Sequence, residues 1–86
     1  MIEIEKYCEK ILLTKEQLFS ESKITEIVTA RWVYWYYLRY KKNMPFYQIG
    51  RIFGRNHSTV IHGINKVSEL IDINDKYILI FINSLK

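Results

Sequence analysis

Hydrophobic residues recur at helical spacing along most of this chain. The clearest stretch follows residue 56, where apolar residues at steps of four, three and four share one helix face: Val60, Ile64, Val67 and Ile71. The same reading predicts helices over residues 2–13, 15–19, 26–42, 46–53, 57–71 and 75–85. We therefore expect an all-α fold in which residues 1–86 form a single domain.

Residues that start and stop helices set the boundaries of these segments. The run 14–17 is a capping-box pattern, and Thr25 and Asn74 can cap the long helix and the last helix. Residues 20–24 read as a polar loop, and Pro45 interrupts the chain before the next helix.

Two stretches are ambiguous because strand-forming residues dominate them, at 32–37 and 77–82. Propensity alone favours strands, whereas the length of the surrounding segments favours helices. In a helix, the aromatic side chains of 32–37 would point in every direction, and one neighbouring element cannot bury them all. That helix is therefore either buried on two faces or partly exposed.

Three aromatic residues of the long helix share one stripe at a spacing of four: Trp32, Tyr36 and Tyr40. Tyr34 and Leu38 lie on the opposing arc and are the better core candidates. If the first helix covers the stripe, it is ordinary core, which we expect because so small a chain has few other residues to build a core with. If the stripe is exposed, it forms an apolar patch of the kind that marks a protein partner or self-association.

A helix-turn-helix is indicated where the helix over 46–53 meets the one that begins at His57. Gly54 stands where the first helix should stop, because glycine adopts the left-handed conformation at little cost. Asn56 can cap the second helix. In a helix-turn-helix, the first turn of the second helix contacts base edges in the major groove, so we expect base contacts from Asn56, His57 and Ser58.

The same region resembles a known family signature. The run from Tyr47 to Gly63 reads YQIGRIFGRNHSTVIHG. It resembles the signature of the C-terminal DNA-binding domain of the bacterial replication initiator DnaA, I-G-x-x-F-G-G-R-D-H-[ST]-T-V-x-H-A. A looser similarity extends from Ile4 to Leu85. The resemblance implies an all-helical domain that binds a short duplex element, the DnaA box.

The resemblance also implies roles for individual residues. His57 and Ser58 match positions that read bases, and Lys23 matches a cation of a loop that enters the minor groove. We expect contacts to the DNA backbone from the following residues: Arg31, Arg39, Arg55, Thr59, His62 and Lys66. Of these, Arg55 matches an arginine whose role is also structural, because it ties the turn down.

The chain departs from the family pattern at three places. Asn56 stands where the family has Asp, which accepts a hydrogen bond from cytosine, whereas Asn pairs well with adenine. This change either alters the sequence preference or leaves Asn56 as a cap only. The loop 20–24 is basic in the family, but here Glu21 would repel phosphate. One glycine is missing after Gly54, which shortens the turn.

The charge distribution indicates a polyanionic partner. The net charge is +4, but residues 27–68 contain no Asp or Glu and seven Lys or Arg. The segments on either side are slightly acidic. A basic centre between acidic ends suits duplex DNA better than it suits a merely soluble surface.

Other classes of site find no support in the sequence. Cys8 is the one cysteine, so no disulfide forms within the chain. His57 and His62 do not share a helix face and lack companion ligands, which argues against a metal site. No phosphate-binding loop or catalytic constellation is present, so we expect neither an ATPase, nor another enzyme, nor a cofactor. No membrane span or signal peptide is visible, and we expect a cytoplasmic, nucleoid-associated protein.

We therefore expect sequence-specific binding of double-stranded DNA through the helix-turn-helix, at sites similar to the DnaA box, in the regulation of replication or transcription. The alternative is a protein-interaction module, in which the aromatic helix over 26–42 docks a replication or regulatory protein.

Overall fold

The computed structural model describes residues 3–86, and that part of the chain contains six α-helices. They are α1 (Ile4–Ile11), α2 (Lys15–Phe19), α3 (Thr25–Lys41), α4 (Phe46–Phe53), α5 (His57–Asp72) and α6 (Lys76–Asn83). No strand occurs in the described residues, so both ambiguous stretches are helical. The predicted all-α class is confirmed, whereas the predicted start of the first helix at residue 2 lies outside the described residues.

The long helix α3 is buried on nearly every side. Helices α2, α4, α5 and α6 pack on it, and α1 reaches it through Tyr7. The Tyr7 ring stacks on Tyr34 with 5.3 Å between centroids, and its hydroxyl donates to the Ala30 carbonyl at 2.8 Å. Burial raises the pKa of Tyr7 well above its ordinary value, so this hydroxyl keeps its proton.

The aromatic residues of α3 are divided among these neighbours. Tyr34 and Leu38 are buried, as predicted for the core arc. Trp32 is half-buried because its indole lies against Gly63 of α5, where an added Cβ would collide with the ring. Tyr36 is half-buried and Tyr40 is 56% exposed. The aromatic stripe is therefore packed against α5 at Trp32 and becomes exposed to solvent at Tyr40.

Among the side-chain caps predicted for α2, α3 and α6, two are wrong and one is confirmed. Thr14 and Gln17 make both bonds of a capping box. Thr25, however, is already the first residue of α3, which begins without a side-chain cap. Asn74 adopts a left-handed conformation, φ 55°, which asparagine tolerates, and it ends the turn after α5. The neighbouring Asp75 caps α6 instead, because its carboxylate accepts from two backbone N–H groups.

No helix in residues 3–86 is both long and apolar enough to cross a membrane.

The contact between Trp32 and Gly63 gives a stability prediction. Gly63→Ala places a methyl group against a rigid indole, so we expect the free energy of unfolding to fall by about 1–3 kcal/mol. Replacing Trp32 by Leu removes the obstructing ring, and Gly63→Ala should then cost much less. Urea denaturation of the two single variants and the double variant measures this coupling. Strictly additive effects would contradict the packing described for this contact.

Candidate nucleic-acid interface

The turn between α4 and α5 depends on a close approach of two backbone segments. Gly54 ends α4 in the left-handed conformation, φ 67°, as the sequence predicts. The Arg55 amide donates to the Gly50 carbonyl at 2.8 Å, and a Cβ on Gly50 would collide with the Arg55 carbonyl. Glycine at position 50 therefore lets the turn fold back onto α4, which fixes the direction in which α5 leaves.

Asn56 begins α5 and organises its first turn. Its side-chain oxygen accepts three hydrogen bonds, from the Thr59 amide at 2.9 Å, the Ser58 hydroxyl at 2.8 Å and the Thr59 hydroxyl at 2.9 Å. The predicted capping role of Asn56 is confirmed. Since the oxygen is occupied, the group that this side chain still offers to a ligand is its NH₂, a hydrogen-bond donor.

The outer face of α5 carries most of the predicted contacts. Val60, Ile64 and Val67 are buried against the domain, as their spacing predicts. The predicted contacts on the exposed surface of the helix or at its cap are Asn56, His57, Ser58, Thr59 and His62. The structure thus brings these polar residues together at the start of α5, where unpaired backbone N–H groups also favour anions.

His62 and Lys66 continue this face along the helix. The His62 ring meets the edge of Trp32 with 6.0 Å between centroids, which holds it beside the aromatic stripe. Lys66 pairs with Glu69 one turn on, at 3.3 Å. The Lys66 side chain is 45% exposed and that of Glu69 is 68% exposed, so this ion pair is weak.

Arg31 does not lie on the surface, as a contact with phosphate would require. The residue is only 5% exposed and its guanidinium points into the domain, so the predicted phosphate contact is wrong. Its Nε donates to the Leu18 carbonyl at 2.8 Å and its Nη2 to the Ser20 carbonyl at 2.6 Å. The carbonyl groups of the last turn of α2 and of Ser20 have no partner within a helix, and Arg31 supplies donors for them.

Arg55 completes the same arrangement, which we call the arginine clamp (Arg31, Arg55 and the Ser20 carbonyl). Arg55 donates to Ser20 at 2.8 Å and to the Phe53 carbonyl at 2.8 Å. The predicted structural role of Arg55 is therefore present, because it ties the turn to the loop over 20–24. Burial lowers the pKa of Arg31, and the nearby positive charge of Arg55 lowers it further.

The arginine clamp also holds the loop that carries Lys23. The Ser20 and Ser22 hydroxyls accept from the amides of Ser22 and Ile24, both at 3.2 Å, and so shape the loop locally. Lys23 itself is exposed. Its position beside the helix-turn-helix is fixed through Ser20, a connection that the sequence did not indicate.

Two further arginines lie at or near α4. Arg39 stacks on the Phe46 ring at 4.2 Å and reaches the Met44 carbonyl at 3.5 Å, which joins the end of α3 to the start of α4. Arg51 is exposed on α4, and its guanidinium carbon lies 5.9 Å from the centroid of the Tyr47 ring. Arg51 also lies in the acid-free stretch of the sequence, although no local pattern singles it out. In a helix-turn-helix, the first helix crosses the DNA backbone, and Arg51 lies on the exposed surface of the corresponding helix, α4.

The fold and the polar start of α5 define the class of this molecule as a helix-turn-helix domain. The family described as bacterial dnaA protein helix-turn-helix matches residues 4–67. The chain belongs to this family of DNA-binding domains, so the resemblance noted in the sequence is confirmed.

The similar proteins are chromosomal replication initiators named DnaA. The chromosomal replication initiator protein DnaA of Mycoplasma pneumoniae is 40% identical over 72 residues, which cover 84% of this chain and 16% of that protein. The protein of that name from Mycoplasma genitalium is 39% identical over 82 residues, 95% of this chain and 18% of the relative. The protein of that name from Leptospira biflexa is 38% identical over 66 residues, which cover 77% of this chain and 15% of that protein. The chain thus spans less than a fifth of the length of these relatives. No solved structure matches it.

The arginine clamp predicts a loss of stability on substitution of Arg31. Arg31→Met leaves the Leu18 carbonyl without its donor, at a cost of about 1–3 kcal/mol, whereas the Ser20 carbonyl keeps the hydrogen bond from Arg55. Thermal and urea denaturation should show this loss, whereas the control Lys23→Met, at an exposed position, should change stability by less than about 0.5 kcal/mol. If Arg31→Met kept full stability and only weakened DNA binding, the assignment of Arg31 to the interior would be refuted.

Proposed function

We propose that residues 1–86 act as one domain that binds double-stranded DNA in a sequence-specific manner, at sites similar to the DnaA box. The observation that carries the proposal is the start of α5, where His57 and Ser58 project from a capped helix end directly after the turn. A helix presented in this way fits the width of the major groove.

The proposed backbone contacts surround this recognition turn. Thr59, His62 and Lys66 lie on α5, and Arg55 lies in the turn before it. Arg39 and Arg51 would contact the backbone from α3 and α4, and exposed Lys23 would approach the minor groove from the loop. Phosphate contacts of this kind fix the orientation of the protein without reading sequence.

Duplex binding through these cations should depend strongly on salt. Each phosphate neutralised contributes about −0.9 to the slope of log K against log salt, so a handful of contacts gives roughly −3 to −6. Fluorescence anisotropy with a labelled duplex across a salt series measures the slope. Affinity that does not change with salt, or absence of binding at low salt, would contradict the proposal.

Asn56 is proposed to change which bases are preferred. With its oxygen held by Ser58 and Thr59, Asn56 presents an NH₂ donor to the groove. An aspartate in the same cap would present its second oxygen, an acceptor. The donor suits acceptors such as guanine O6 or adenine N7, whereas the acceptor suits the cytosine amino group.

The variant Asn56→Asp tests this difference, because aspartate also caps helices well. We expect nearly unchanged stability and a change of preference, by about 1–3 kcal/mol, toward cytosine at one position of the site. Measured affinities for duplexes that differ at single base pairs give the result. The control Arg39→Ala should weaken all duplexes alike. An Asn56→Asp protein with the same order of preferences would show that Asn56 is a cap only.

We further propose a regulatory role in replication or transcription, in the cytoplasm and associated with the nucleoid. The relatives are named chromosomal replication initiators, and this chain corresponds to less than a fifth of their length. We assign this domain a binding role rather than a catalytic one. The match lies within a helix-turn-helix family, which is not an ATPase domain.

A second proposed function is docking of a protein partner or a second copy of the chain through the aromatic stripe Trp32, Tyr36 and Tyr40. One observation favours it, the 56% exposure of Tyr40. Trp32 is packed against Gly63, so the surface that a partner could contact consists of Tyr36 and Tyr40. The rings of these two residues pack with their centroids 4.8 Å apart.

A further inference from the structure

A second basic surface lies where α1, the end of α3 and the end of α6 meet. These elements enclose an open cleft of about 730 Å³, within the roughly 300–1,000 Å³ that ligand pockets occupy. Five lysines line it: Lys6, Lys10, Lys41, Lys42 and Lys86. All five are exposed, and in the described part of the chain none of them forms an ion pair with an Asp or Glu side chain. We call this feature the lysine cleft.

The floor of the lysine cleft is apolar. Ile82 and Leu85 of the C-terminal segment face Tyr36 of α3 across it, and all three are half-buried. Lys10 donates to a main-chain oxygen of Lys86 at 3.1 Å, which links the two sides of the rim at one end. A positively charged rim around an aliphatic floor matches a ligand that carries both carboxylates and apolar groups.

The composition of the cleft favours a protein segment over nucleic acid. None of the residues that line it is an arginine, the side chain suited to bidentate phosphate binding. Binding of single strands also relies on open aromatic faces on which bases stack, whereas the Tyr36 ring is packed against Tyr40. Lysines act as point charges without a fixed geometry, which suits carboxylates distributed along a peptide.

We propose that the lysine cleft is a docking site for an acidic amphipathic segment of another protein. Its apolar side chains occupy the floor at Ile82 and Leu85, and its Asp and Glu side chains face the rim. Helices of this kind commonly bind apolar grooves through side chains on one face. None of the residues of the cleft is among the proposed DNA contacts, so the domain could hold DNA and this partner together.

The test uses a labelled synthetic peptide, an amphipathic Leu/Glu helix of roughly four turns, with a scrambled peptide of the same composition as its control. Fluorescence anisotropy should show binding of the amphipathic peptide at low salt. The double variant Lys41→Glu/Lys42→Glu should weaken it by about tenfold. The control variant Lys15→Glu/Lys76→Glu has the same net charge but alters exposed lysines outside the cleft, and should weaken binding by less than about threefold.

Methyl NMR of the unmodified protein provides a readout that needs no variant. On addition of the peptide, the resonances of Ile82 and Leu85 should shift, whereas that of Ile61 on α5 should not. Duplex binding by the two double variants should be affected alike, so the DNA proposal and this one can fail separately.

Several results would overturn the proposal. They are absence of peptide binding, equal binding of the scrambled peptide, equal losses in both double variants, or shifts at Ile61 in place of Ile82. Oligothymidylate is the remaining probe. If it bound with the same dependence on Lys41 and Lys42, the cleft would be a nucleic-acid site.

Discussion

The aromatic helix α3 has to be covered on nearly every side, and this requirement sets the arrangement of the other helices. Its core residues include Trp35, which is 1% exposed, and burial on this scale needs several neighbours at once. The cost is visible at Trp35, whose indole N–H has no hydrogen-bond partner among the described residues. Because α5 packs one face against the domain, with Gly63 against Trp32 of α3 and Val67 buried, its polar face is left outward.

The arginine clamp then fixes the loop and the turn relative to each other. Two guanidinium groups converge on the carbonyl of Ser20. The attraction of both groups for one carbonyl dipole offsets part of the repulsion between them. As a result, the interior side of α3, the turn before α5 and the loop with Lys23 are coupled.

The local parts of this structure could be predicted from the sequence. Both helices of the helix-turn-helix begin where predicted and α4 ends where predicted, because Gly54 and Asn56 each have a strong conformational preference of their own. The sequence predicts Thr25 and Asn74 as caps because each lies next to a helix start. The choice between Asn74 and Asp75 depended on the turn that leaves α5.

The parts that depend on tertiary contacts could not be predicted. Arg31 has a long side chain that can reach solvent or the interior, and the carbonyls that bind it belong to α2 and the loop. The lysine cleft combines residues from both ends and the middle of the sequence, so no local pattern indicates it. Folding creates this second basic surface.

The central claim is that the first turn of α5 reads duplex DNA. The most direct measurement is selection of bound duplexes from a random pool, followed by sequencing. This account predicts that one short motif similar to a DnaA box is enriched by the unmodified protein and lost when His57 and Ser58 are both replaced by alanine. Recovery of unrelated sequences, or of the same motif with the doubly substituted protein, would contradict it.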